Sequence, residues 1–245
     1  MEIQSQRVEI PVGGARMGGY LARPKDGTPR PGVIVWMEIF GVNSHIRGVT
    51  ERVAREGYLA LAPDFFHRSF PGLDVGYDEK GMEVGMKGLT SLDADQMIED
   101  ARAAVTYLRG APGCTGKLGA MGFCIGGHMT YLTACETDVR AAASFYGGGI
   151  AAPQGPGGQA STIGRTGKIK GRLLCLFGGK DAFIPIDQVD AIRDALAKAK
   201  TRHEVVLYPD ADHGFFCNQR ASYQEKAAGD AWTRVKKLFR EELQA

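Results

Sequence analysis

The 245-residue chain is 44% apolar and 24% charged, close to the averages of soluble globular proteins, which excludes a disordered or fibrous chain; at this length one α/β core buries roughly 70% or more of the extended-chain surface. Its formal charge of +2, from 30 basic and 28 acidic residues mixed along the sequence, offers no single-sign field to a nucleic acid or an anionic membrane. No run approaches the ~20 apolar residues of a membrane span, and MEIQSQRVEIPVGG lacks the basic start and apolar run of a signal peptide, so a cytoplasmic protein is expected.

Residues 4–24 read as two short strands about the Gly13, Gly14 turn, because Val8, Ile10 and Val12 alternate with polar residues and the second run ends at Pro24. From residue 32 onward, apolar runs alternate with amphipathic segments, the pattern of a mostly parallel sheet covered on both faces by helices. The strands expected are 32–39, 58–64, 117–123, 140–147, 172–179 and 203–209. With the hairpin these make eight. Helical spacing marks 45–56, 93–109, 125–137 and 185–200, and a final helix over 219–242. Asp93 suits an N-cap and Gly110 a C-terminal stop.

No repeat or linker divides the chain, so residues 1–245 are read as one α/β domain. Two segments interrupt the alternation and are expected to be irregular: 64–92, with Phe65, Phe66, His67, Arg68, Phe70, Tyr77 and Lys80, and the glycine-rich 148–170. The second contains GRTGKIK. Its Lys168 is followed by Ile169 rather than Ser or Thr, which argues against a phosphate-binding loop.

Cys114, Cys124, Cys135, Cys175 and Cys217 are odd in number and lack CxxC spacing, fitting neither a disulfide framework nor a zinc site. Reduced thiols, no metal and no cofactor are the expectation. Four read as small buried apolar residues. Cys124 stands apart, because the strand KLGAMGF runs into Cys124, Ile125, Gly126, Gly127 and then a helix, so that GFCIG matches the GxSxG nucleophile elbow with cysteine for serine. Small flanking residues are a steric need of that turn, and the positive end of the following helix favours a thiolate.

Asp181 follows one core strand, in GGKDAFIP, and His213 follows another, in DADHGF. Both belong at the carboxyl edge of a parallel sheet, and the order nucleophile, acid, base is that of α/β-hydrolases. Taken singly, Asp181 could cap the next helix and His213 could be an ordinary loop histidine; in order, each directly after a strand, they read together with Cys124. Neither His45, His67, His128 nor His203 follows a strand so closely. Glu38 ends the apolar run VIVWMEIFG, so it is either paired, with an arginine for example, or functional. The backbone N–H of Ile39 would face the nucleophile with that of Ile125 as an oxyanion hole.

MEIFGVN, APDFF, GFCIGG, GGKDAFIP and DHGF, in this order and spacing, resemble the dienelactone hydrolase family over about residues 5–242. The resemblance implies Cys124 as nucleophile, His213 as base, Asp181 as its orienting acid, Glu38 as a carboxylate that helps ionise the thiol when substrate arrives, and Ile39 and Ile125 as oxyanion-hole donors. It also implies an arginine a few residues after the histidine to hold a substrate carboxylate. Here Phe216 and Cys217 stand near that place, with Arg220 farther on, and neither Arg68, Lys80 nor Lys87 aligns securely with the family's second arginine.

The reading is hydrolysis of a small-molecule ester or lactone through a thioester acyl-enzyme, by a monomer or small homo-oligomer. Enol-lactones and activated esters suit a thiolate better than peptides do. Two alternatives remain at this point: a non-catalytic binding protein on the same fold, which would give no burst from an activated ester, and a thiol redox protein using Cys124, which would be peroxide-sensitive without esterase activity.

Overall fold

The computed structural model describes residues 1–244. Its elements are β1 (Ile3–Val12), β2 (Ala15–Pro24), β3 (Arg30–Trp36), α1 (Ser44–Arg55), β4 (Leu59–Pro63), α2 (Glu79–Thr90), α3 (Ala94–Gly110), β5 (Cys114–Phe123), α4 (Ile125–Glu136), β6 (Ala141–Phe145), β7 (Arg172–Gly178), α5 (Ile186–Lys198), β8 (His203–Tyr208) and α6 (Glu225–Phe239). One eight-stranded sheet runs in the order β1-β2-β4-β3-β5-β6-β7-β8. The β1–β2 hairpin is antiparallel and joins β4 antiparallel at the edge; every other pairing is parallel.

The reason is in the sequence. Strands β4 and β6 are buried at every position, as a strand covered on both faces must be, and their residues are uninterrupted Ala, Leu, Ser, Phe and Pro. Helix α4 is likewise buried along nearly its whole length, in keeping with the all-round apolar stretch IGGHMTYLTAC. Helix α3 begins where Asp93 accepts hydrogen bonds from the Asp95 and Gln96 amides, a cap worth about 1 kcal/mol, and it runs through Gly110.

The chain order places a topological switch at β3. From β3 the chain crosses to β4 on one side, then returns to lay β5 on the other. The loops leaving β3 and β5 therefore diverge, and a crevice opens between them at the carboxyl edge of the sheet. In the register, Trp36 pairs with Gly122, so Glu38 and Cys124, each two residues farther on, emerge at the same level.

Two expectations are corrected. Residues 64–92 are not irregular throughout, because α2 occupies Glu79–Thr90, capped by Asp78 accepting from the Gly81 amide. Its buried face is Gly81, Gly85 and Gly88. A helix that packs through glycines shows no apolar periodicity, and it lies too close for side chains: a Cβ at Gly85 would sit 2.8 Å from the Ile39 carbonyl oxygen. The final helix starts at Glu225 rather than near residue 219, since the preceding residues form successive turns. Among the described residues no helix is long and apolar enough to cross a membrane.

Candidate active site

Cys124 sits between β5 and α4 with φ 57° and ψ −123°, a backbone conformation that L-residues seldom adopt. The turn is enforced by its neighbours. A Cβ at Gly126 would lie 2.3 Å from the Met37 carbonyl oxygen and one at Gly122 would lie 2.2 Å from that of Gly126, contacts with backbone that cannot yield. The Cys124 amide donates to Phe145 of β6 at 3.1 Å, and its carbonyl accepts from Gly127 and His128 in the first turn of α4. The thiol therefore stands at the helix N-terminus, partly exposed, in the field of unpaired amides.

His213 and Asp181 arrive on the loops after β8 and β7. The imidazole Nδ1 of His213 lies 2.7 Å from Oδ2 of Asp181, whose other oxygen accepts from the Phe183 amide at 2.9 Å. A carboxylate only accepts, so Nδ1 carries the proton, leaving Nε2 free of Asp181 in the cleft that His213 and Cys124 both line. Burial alone would lower the His213 pKa; the negative charge on Cys124 and the Asp181 hydrogen bond outweigh it and raise it to about 10.

Glu38 is wholly buried behind the crevice. Its Oε2 accepts from the Tyr77 hydroxyl at 3.0 Å, and its Oε1 lies 3.4 Å from Nη1 of Arg220. Burial and then the Glu38 charge push the Tyr77 phenol far above its ordinary range, so it stays a donor. Arg220 reaches Glu38 because residues 212–224 fold in turns closed by Phe215 to Asp212, Cys217 to Gly214 and Arg220 to Cys217 hydrogen bonds. Gly214, at φ 82°, makes the passage: a Cβ there would stand 2.5 Å from Nη1 of Arg220.

Cys124, His213, Arg220, Ile39 and Ile125 line one cleft of about 420 Å³, with Glu38 and Asp181 behind its wall. Among the described residues, neither the Ile39 nor the Ile125 amide has a hydrogen-bond acceptor. A depression of about 460 Å³ between α1 and the start of α6 contains none of Cys124, Asp181 and His213, so size alone does not mark the site.

The pocket expected from Phe216 and Cys217 needs correction. Both are buried and neither lines the cleft; Phe216 stacks on Phe123 at 5.2 Å inside the core. The cation comes from Arg220 instead. Arg68 is bound to Glu99 and Asp100, Lys87 to Glu83, and neither they nor Lys80 face the cleft.

Sequence reasoning passed over three residues. Tyr146, directly after β6, has φ 37°, packs edge-on against His213 at 5.0 Å and has a buried hydroxyl without a partner; its place at a strand end was the available signal. His128 lines the cleft but donates Nδ1–H to the Gly148 carbonyl at 2.9 Å, so its Nε2 accepts from the Thr162 hydroxyl at 2.7 Å. Tyr77 was noted only as part of a loop. No group of three or more His, Cys, Asp or Glu side chains arranged for a metal ion occurs among the described residues.

The family model of dienelactone hydrolases matches residues 17–243. A Synechocystis sp. protein provisionally named a carboxymethylenebutenolidase is 45% identical over 245 residues, covering 99% of both chains. A crystal structure provisionally assigned as a dienelactone hydrolase from Klebsiella pneumoniae superposes with a TM-score of 0.88 at 34% identity, covering 98% of this chain and 99% of the other. A dienelactone hydrolase-like promiscuous phosphotriesterase from metagenomic libraries superposes at 0.83 with 25% identity, covering 98% and 99%. With a matching family model over nearly its whole length, a relative at 45% identity and the same eight-stranded fold, this chain belongs to the dienelactone hydrolase family.

Proposed function

We propose that this hydrolase cleaves a carboxylic ester or lactone with Cys124 as nucleophile and a thioester acyl-enzyme as intermediate. The observation that carries the reading is the Asp181–His213 hydrogen bond in the same cleft as Cys124, which stands at the start of a helix, with Ile39 and Ile125 lining that cleft as well. The Cys124 thiolate attacks the carbonyl carbon, and the C–S bond forms as the carbonyl electrons move to oxygen. The Ile39 and Ile125 amides stabilise that oxyanion, an effect worth about 3–4 kcal/mol per donor in comparable sites. Collapse breaks the C–O bond, and the His213 imidazolium protonates the leaving oxygen. Neutral His213 then takes a proton from water, which attacks the thioester and releases the acid and the thiolate.

Asp181 holds the tautomer this cycle requires. Glu38 is read as a buried carboxylate that takes part in ionising the thiol when substrate arrives, with Arg220 as its partner at 3.4 Å. The arrangement also supports turnover over simple binding, since a binding site has no use for a buried acid oriented on an imidazole. The test is Cys124→Ala, which should lose ester hydrolysis while retaining the circular dichroism and melting temperature of the wild type. Turnover at the wild-type rate by this variant would refute the assignment.

A further inference from the structure

The cleft that holds Cys124 is built from apolar side chains around a small reactive centre. One wall is Met82, Met86 and Leu89 of α2, and Phe183, on the loop between β7 and α5, also lines the cleft. Met86 is 45% exposed and Phe183 73% exposed, which makes them two of the few large apolar side chains left in water among the described residues. They come from elements far apart in sequence and line the same cleft. Their exposure contributes nothing to the fold, and a ligand that covered them would recover the transfer free energy of that surface.

The guanidinium and the two imidazoles of the cleft are already engaged. Arg220 is paired with Glu38, His213 with Asp181, and both nitrogens of His128 are taken by Gly148 and Thr162. A second charge on the substrate would therefore have to draw Arg220 away from Glu38. The Phe183 ring lies edge-on to the His213 imidazole at 5.2 Å, so the apolar surface begins within a few bonds of the reacting carbonyl. Nor is the methionine wall a loose flap: Gly85 and Gly88 bring α2 into contact with Ile39 and Phe66, where a Cβ would meet Ile39 atoms at 2.8–3.0 Å and Phe66 atoms at 3.0–3.2 Å. Methionine side chains on a firmly seated helix accommodate alkyl and aryl shapes alike.

We propose that the substrate carries an apolar alkyl or aryl arm next to its ester or lactone bond, lodged between Met86 and Phe183. This rests on the reading of Cys124 as the attacking group.

The experiment compares kcat/KM along p-nitrophenyl acetate, butyrate and hexanoate, and along γ-lactones with lengthening alkyl side chains. A rise of about two- to fourfold per methylene in either series is expected from burial of the added groups. The double variant Met86→Gln, Phe183→Ser changes only exposed side chains and should flatten that rise. Modification of Cys124 by N-alkyl maleimides should quicken with chain length in the wild type and not in the variant, a readout independent of turnover. Hydrolysis of the acetate with a flat or falling dependence in both series would overturn the arm and leave Cys124 as nucleophile. Absence of any ester hydrolysis and of acylation at Cys124 would overturn both.

Discussion

Nη1 of Arg220 lies 3.4 Å from Oε1 of Glu38, across 182 residues of sequence, and the pair forms the charged floor of an otherwise apolar cleft. The carboxylate is wholly buried and the guanidinium is partly exposed to the cleft. Replacing Glu38 by Gln keeps an acceptor for Tyr77 but leaves Arg220 without its counter-charge, a change that costs about 1–3 kcal/mol of stability. If Glu38 takes part in ionising Cys124, the variant also shows lower turnover and an altered pH profile of thiol alkylation, with and without a substrate analogue. An unchanged profile would confine Glu38 to a structural role.

Arg220 bears on substrate charge as well. It lines the cleft, yet a substrate carboxylate must compete with Glu38 for it, so charge selection should be weak. Measured as kcat/KM for an anionic lactone against its neutral methyl ester, the preference should stay below roughly a hundredfold, about 2.7 kcal/mol of transition-state binding. A larger ratio would mean that Arg220 leaves Glu38 freely and that the cleft is organised around an anion.

Asp181→Asn should lower kcat by about 10²–10⁴-fold while leaving the fold in place. An amide at this position can donate to Nδ1 and so stabilise the wrong tautomer of His213, which then presents N–H rather than a lone pair to the water that attacks the thioester. Steady-state kinetics checks this, and a loss confined to KM would show that Asp181 acts on binding rather than on the imidazole.

His128 gives the pH dependence of stability a defined sign. Burial holds its pKa down to about 4, against 6.5 for the free group, and its two hydrogen bonds fix it neutral between α4 and the 148–170 segment. The unfolded chain therefore gains a proton below pH 6.5 that the folded chain refuses until about pH 4. Stability is full above the unfolded value and falls as pH drops through this window, by about 3 kcal/mol. In His128→Gln the starting stability should be lower and this part of the slope absent; a wild-type slope in the variant would assign the acid sensitivity elsewhere.

The sequence disclosed those features whose physical cause is local. Alternation marked the β1–β2 hairpin, apolar runs marked the six parallel-sheet strands, and the glycines beside Cys124 marked the elbow because their backbone contacts lie within a few residues or in the adjoining strand. Asp181 and His213 were found because strand ends locate the edge of the sheet. Helix α2 was hidden by its glycine face, which reads as a breaker although it is the means of close packing on Ile39. The position of Arg220 depends on consecutive turns over residues 212–224 and on the left-handed Gly214, a geometry that no periodicity encodes. Tyr146 stood at a strand end like the others, but as the last aromatic of an apolar run it looked like core, and by burial it is core.

Every step of the proposed chemistry passes through a covalent acyl intermediate on Cys124. An activated ester with a slowly released acyl group, quenched in acid within the first turnover, should leave one acyl equivalent per chain, located by peptide mass spectrometry on the segment containing Cys124 and released by hydroxylamine as a thioester. Hydrolysis that proceeds with no acyl adduct, or with the adduct on another side chain, would contradict it.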